Sequence, residues 1–158
     1  TAQPRVQLAL NVGDLDAAVD FYRRLFSAEP HKIRPGYANF ALESPALKLV
    51  LIENTTEQGT LNHLGVEVPS AAEVLEARGR LAAAALDTHD EADVVCCFAR
   101  QDKVWVTDPD GAAWEVYTIT DDDPTSIVLL EGATPIVSHH SFVLSSRATY
   151  NAGALDSA

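Results

Sequence analysis

Only two cysteines occur among the 158 residues, and they are adjacent: Cys96 and Cys97, in the run ADVVCCFARQ. Neighbouring residues of a flat strand point to opposite faces, so the two thiols could not act together there. Nor do they readily bridge, because consecutive Cα atoms lie about 3.8 Å apart, short of the usual disulfide span of roughly 4.4 to 6.8 Å. Two readings stay open: a loop that aims both sulfurs one way, or a pair of inert buried thiols. A second set of candidates consists of polar residues at positions whose neighbours predict burial. Gln7 lies in VQLALNV, His63 in NHLGVEV and Glu115 in WEVY. One imidazole, one carboxylate and one amide oxygen suit a divalent first-row metal, and a three-ligand face with open positions is the arrangement of oxygen-activating non-haem iron. An amide where a second imidazole would usually stand is a weaker ligand and lowers the expected affinity. Gln7 and His63 also read as ordinary strand residues with satisfied hydrogen bonds. Glu115 is harder to place that way, since an unpaired buried carboxylate is costly.

A repeat of about 56 residues supplies the elements that would position these groups. Val6–Val12 and Asn62–Val68 are alternating, strand-like runs, each followed by a capping residue (Asp14, Ser70) and a helix. The first helix places Leu15, Ala18, Val19, Tyr22, Leu25 and Phe26 on one stripe. The second opens on the capping box Ser70-Ala71-Ala72-Glu73 and carries Val74, Leu75, Arg78 and Leu81. Strands follow at Tyr37–Leu42, Leu47–Glu53, Lys103–Thr107 and Ala113–Thr120, separated by Pro35-Gly36, Ser44-Pro45 and Asp108-Pro109-Asp110-Gly111. Gln7 and His63 hold the same register in their repeats. Aligning Lys48-Leu49-Val50 with Trp114-Glu115-Val116 makes Leu49 the counterpart of Glu115. Four equivalent positions would then carry three polar groups and one apolar one, a one-sided ligand set. Each half is too small to cover its own sheet, so the expectation is an α+β pair of βαβββ modules curled around a shared cleft.

A formal charge of −12, from 11 Lys and Arg against 23 Asp and Glu, repels phosphate backbones and anionic lipid surfaces. Neither nucleic acid nor a membrane is an expected partner. No apolar run approaches the roughly 18 residues of a bilayer span, and TAQPRVQLALNV carries neither a basic leader nor a cleavage site. With two cysteines lacking bridging geometry, a reducing, cytoplasmic setting is expected. A closed single chain and a homodimer exchanging halves both satisfy the pattern.

The stretches RVQLALNV, FYRRLF, RPGYANFAL, LKLVLIEN, LNHLGVEV, CCFARQDKVWVTDPDG and WEVYT together resemble the vicinal oxygen chelate superfamily of glyoxalases, bleomycin resistance proteins and extradiol dioxygenases. Within it they are most similar to non-haem iron carbon–arsenic lyases and the related cadmium-induced proteins. The resemblance covers residues 5 to about 119. It implies a vicinal oxygen chelate domain over 5–120, with modules at about 5–54 and 61–120, and Fe(II) held by Gln7, His63 and Glu115. It further implies that Cys96 and Cys97 bind a trivalent organoarsenical, and that dioxygen is the co-substrate in releasing arsenite from methylarsonous acid or reduced aromatic arsenicals. Trivalent arsenic is thiophilic, so two adjacent thiolates can grip it if the backbone aims both sulfurs alike. The polar segment Asp87–Asp93 reads as the mobile loop that would allow this. Two competitors remain: a resistance protein that holds Cd(II) or another soft ion without turnover, and another superfamily enzyme, a thiol transferase or ring-cleaving dioxygenase, with inert cysteines.

Smaller roles attach to neighbours. Tyr37, Phe40, Trp105, Trp114 and Tyr117 either line the cleft or belong to the core. Lys103 reads as a solvated strand lysine, or as a partner for an anionic oxygen or a thiol; Arg100 and Gln101 could shape the thiol loop. Residues 121–158, opening on Asp121-Asp122-Asp123-Pro124, read as a tail that is mobile or docked on a partner, with His139-His140 exposed on it.

Overall fold

A computed structural model describes residues 3–96 and 98–124. The elements run β1 (Arg5–Val12), α1 (Leu15–Phe26), β2 (Lys32–Arg34), β3 (Tyr37–Leu42), β4 (Leu47–Glu53), β5 (Leu61–Glu67), α2 (Ala71–Ala83), β6 (Thr88–Cys96), β7 (Ala99–Thr107) and β8 (Ala113–Asp121). This is βαβββ twice over. The strands form one curled sheet in the order β2-β3-β4-β1-β5-β8-β7-β6. Each module folds its last strand parallel onto its first, β4 on β1 and β8 on β5, and the antiparallel β1–β5 pair is the seam between them. Among the described residues no helix is long and apolar enough to cross a membrane.

Both helices start where their caps require. Asp14 accepts from the Ala17 amide at 2.9 Å, and Ser70 Oγ accepts from the Glu73 amide while its hydroxyl donates to the Glu73 carboxylate. The helices cover one face of the sheet. Leu15 and Val19 pack on Phe40, Leu42, Leu49 and Leu51, while Val74, Ala77 and Leu81 pack on Val104. Leu25 and Leu75, expected on the helix stripes, sit at their edges and are 58% and 62% exposed. The opposite, concave face of the sheet is left for polar groups.

Two expectations need correction. The counterpart of Glu115 is Val50, not Leu49: β1 Ala9 pairs with Val50 as β5 Gly65 pairs with Glu115. Side chains alternate along a strand, so a slip of one residue exchanges faces. Leu49 lies under α1, whereas Val50 lines the cleft. Asp87–Asp93 is not a free loop either, because β6 starts at Thr88 and pairs with β7. As an edge strand it has no fully buried residue, so it lacks the apolar alternation that marks strands elsewhere. The pairing breaks between Glu91 and Val94, where Asp93 adopts φ 54° and its amide donates to Asp102. Expectations for the tail beyond Pro124, including His139 and His140, lie outside the described residues.

Candidate metal centre

The three central strands β1, β5 and β8 bring Gln7, His63 and Glu115 together on the concave face. Gln7 faces Gly65 across one pairing and Glu115 faces Gly65 across the next, while His63 projects from the same side of β5 two residues earlier. Gly65 is what permits the approach. A Cβ added there would stand 3.0 Å from Glu115 Cγ and 3.2 Å from Gln7 Nε2, tighter than ordinary packing allows. Gly65→Ala is therefore expected to push the two polar side chains apart and cost about 1–3 kcal/mol of stability, as overpacking does. Metal titration and thermal unfolding of that variant check this; unchanged values for both would mean the approach is not needed.

The polar atoms of the three residues form a tight triangle. Gln7 Nε2 is 3.0 Å from His63 Nε2 and 2.6 Å from Glu115 Oε1, and the imidazole and carboxylate are 3.2 Å apart. All three side chains are buried. Ligand atoms at right angles about 2.1 Å from one ion stand about 3 Å apart, so this triangle has the dimensions of one face of an octahedron. With the Gln7 amide turned so that Oε1 stands where Nε2 now does, the donor set is one nitrogen and two oxygens, which suits a divalent first-row ion. Tyr117 donates its hydroxyl to Gln7 Oε1. A hydroxyl also accepts, so Tyr117 accommodates either end of the amide when a metal calls for its oxygen. Among the described residues no three His, Cys, Asp or Glu side chains cluster, so an amide is the third donor available here.

Electrostatics keep the carboxylate ionised. Burial alone would raise the Glu115 pKa, but the Lys103 ammonium, 2.9 Å from Oε2, holds it well below the usual carboxylate range. Lys103 is 3% exposed, so it is not a solvated strand lysine; it meets the anionic oxygen of Glu115. The imidazole is oriented from behind. Asn62 Nδ2 donates to Asn11 Oδ1 at 3.0 Å, which leaves Asn62 Oδ1 to accept from His63 Nδ1 at 2.8 Å. That bond fixes the proton on Nδ1 and leaves the Nε2 lone pair facing the carboxylate and amide. Asn62→Ala is expected to weaken metal binding by about 10–100-fold, with the fold intact. Calorimetric titration with Fe(II) or Mn(II) is the check; an unaltered affinity would show that Asn62 does not select the tautomer.

Cys96 ends the edge strand β6, half-buried, and Cys97 lies outside the described residues. Cys96 pairs with Ala99 on β7, and Phe98 after it takes φ 62°. Three contacts tie this corner to the cleft. Gln101 donates to the Cys96 carbonyl at 3.1 Å; Lys32 of the first module donates to the Phe98 carbonyl at 2.9 Å; and the Phe98 ring packs on Tyr37 at 5.5 Å between centroids. Gln101 thus shapes the corner, as its nearness in sequence suggested, while Arg100 turns outward to Asp93. Of the five aromatics considered, Tyr37 and Tyr117 line the cleft, Trp105 meets the His63 ring edge-on at 5.5 Å, Phe40 is in the core beneath α1, and Trp114 lies on β8 between Leu64 of β5 and Val106 of β7. Gly65, Asn62 and Asn11 were missed. A glycine in mid-strand is a signal of close approach that could have found the first.

Paired βαβββ modules joined at a parallel-flanked seam, with a buried polar triad on the concave side of that seam, define a vicinal oxygen chelate domain. The chain belongs to the Glyoxalase/Bleomycin resistance protein/Dioxygenase superfamily, whose family model matches residues 5–116. It is 61% identical over 121 residues to the cadmium-induced protein CadI of Mycobacterium tuberculosis, covering 77% of this chain and 80% of that one. It is 56% identical over 122 residues to the trivalent organoarsenical cleaving enzyme of Thermomonospora curvata, covering 77% of this chain and 81% of that one. A crystal structure of catechol 2,3-dioxygenase shares the fold at TM-score 0.58 and 19% identity, over 73% of this chain and 40% of the other.

Proposed function

We propose that this chain is an Fe(II)- and dioxygen-dependent carbon–arsenic lyase that releases arsenite from trivalent organoarsenicals, with residues 5–120 as the catalytic domain. The observation that carries the reading is the convergence of Gln7, His63 and Glu115 in a cleft whose wall residue Gln101 holds the Cys96 carbonyl. The relatives named for trivalent organoarsenical cleavage support it.

Cys96 and Cys97 are the proposed arsenic-binding pair. Each thiol displaces one hydroxyl from an arsonous acid, so two sulfur–arsenic bonds form and two waters leave. Gln7, His63 and Glu115 are the residues that would hold Fe(II), which would supply dioxygen activation beside the carbon bound to arsenic. Glu115 brings the negative charge, kept by Lys103, and His63 brings a lone pair fixed by Asn62. Tyr117 holds the amide of Gln7 in place. The cleft measures only about 20 Å³, room for about one water. An arsenical therefore enters by displacing Phe98 from Tyr37 and Lys32, and the return of Phe98 to them shuts water out.

Aerobic incubation of iron-loaded protein with methylarsonous acid is expected to yield arsenite, followed by chromatography. Arsenite no higher than in a metal-free control would end the proposal. A soft-ion-holding protein without turnover is the second reading, favoured by the name of the cadmium-induced relatives. Cd(II) binding that survives Glu115→Ala but not Cys96→Ser, with no turnover, would select it.

A further inference from the structure

Three lysines are buried in the sheet: Lys32, Lys48 and Lys103, at 7%, 4% and 3% exposure. Two of them are accounted for. Lys103 pairs with Glu115, and Lys32 donates to the Phe98 carbonyl and to the carbonyl and carboxylate of Asp122. Lys48 makes neither a hydrogen bond nor an ion pair among the described residues. It lies on β4 opposite Gln7 and lines the same cleft as the triad. Burial lowers its pKa, and Arg5 and Lys32 act in the same direction, while Glu67 and Asp122 oppose them. One strand over, Asn39 is 2% exposed and also lines the cleft. Its Nδ2 donates to the Tyr37 hydroxyl at 2.9 Å, and its Oδ1 is buried without a partner. Turning the amide end for end would only move the unmet group from oxygen to nitrogen.

A lysine buried in a cleft wall without a protein partner for its ammonium is costly, and folds keep such a group where its partner arrives with a ligand. We propose that Lys48 and Asn39 form an anion subsite on the first-module wall of the cleft, receiving an acidic oxygen on the organic arm of the bound molecule. The ammonium pairs with a carboxylate or phenolate oxygen, and Asn39 Oδ1 accepts from a hydroxyl beside it. The opposite wall carries Ala99 and Gln101, next to the Cys96 corner. One molecule can therefore be held at both ends, with the triad between. This rests on the proposed arsenical chemistry for what the far end is, but not for the anion. The substrate class it specifies is an aromatic arsenical with an acidic ring substituent in preference to an unsubstituted one.

Two titrations test it. The arsenic-free probe is benzoate, measured by calorimetry against the full-length protein and its Lys48→Met variant. Binding is expected in the wild type and a loss of about ten- to hundredfold in the variant, the worth of a charge-assisted hydrogen bond. The second compares 4-carboxyphenylarsonous with phenylarsonous acid. The wild type should favour the acidic compound by a similar factor in kcat/KM, and the variant should treat the two alike. Methionine keeps the methylenes and removes the unpaired charge, so the melting temperature is expected to rise by about 3 °C. A structural lysine would give the reverse. Benzoate binding that is absent from the wild type or unmoved by Lys48→Met overturns the subsite, as does a fall in melting temperature. Benzoate binding that depends on Lys48, with no arsenite from any arsenical, would leave the subsite standing and remove the proposed reaction.

Discussion

Glu115→Gln is expected to strip the protein of metal and of arsenite release, and to lower its stability at the same time. The two effects have separate causes. Glu115 supplies the only negative charge in the triad, and a ligand set reduced to one imidazole and two amides should bind a divalent ion at least about 100-fold more weakly, beyond what losing an outer-shell partner costs. The stability loss comes from Lys103. It sits 2.9 Å from the carboxylate with both side chains almost wholly buried, and removing one partner of a buried ion pair costs about 3–5 kcal/mol. A second substitution separates the causes. Glu115→Gln with Lys103→Met removes the stranded charge, so most of the thermal stability should return while metal binding stays lost. Metal content after dialysis and thermal unfolding of the three proteins are the measurements. If the single variant retains a full equivalent of iron, the triad is not the metal centre; if the double variant is no more stable than the single, the buried pair does not account for the loss.

The repeat was the most legible part of the sequence, because its evidence is redundant. Both opening strands, both capping residues and the limits of β3 and β4 follow from hydrophobic alternation and turn chemistry, which act locally. The convergence of Gln7, His63 and Glu115 was also readable, since a buried polar residue stands out from an apolar run and the repeat relates two of the three. What could not be read was anything that depends on which side of a strand faces what. Local pattern points to Leu49 as the fourth position, but register across a parallel pair is set by the paired strand; one residue more gives Val50. For the same reason the pattern could not choose between a solvated Lys103 and one that meets an anionic oxygen, which is what it does. A lysine in QDKVWV carries no sign that its partner is a glutamate in a neighbouring strand. Strand β6 failed differently: an edge strand bears no burial pattern to find, so its acidic residues imitate a loop.

Replacing Cys96 or Cys97 by Ser is expected to lower turnover of methylarsonous acid by at least about 100-fold, equal to about 2.7 kcal/mol of lost transition-state stabilisation, without a comparable loss of stability or iron. Serine preserves size and gives up softness. Trivalent arsenic exchanges a hydroxyl for a thiolate readily, and a second sulfur on the same chain makes the second bond an intramolecular one, at the high effective concentration of a short link. Either single substitution removes that advantage, so the two singles and the double should fall to similar levels rather than multiply. Stability should be spared because Cys96 is only half-buried at the end of an edge strand, and its backbone carbonyl, the atom that Gln101 holds, is untouched. Iron should be spared because the triad stands on β1, β5 and β8, away from that edge. Arsenite production by the three variants, beside their melting curves and metal content, makes the comparison. Full activity in the double Ser variant would mean that the thiols are bystanders and that the cleft serves another reaction of the superfamily; activity lost together with iron would mean that the β6–β7 corner supports the metal site itself.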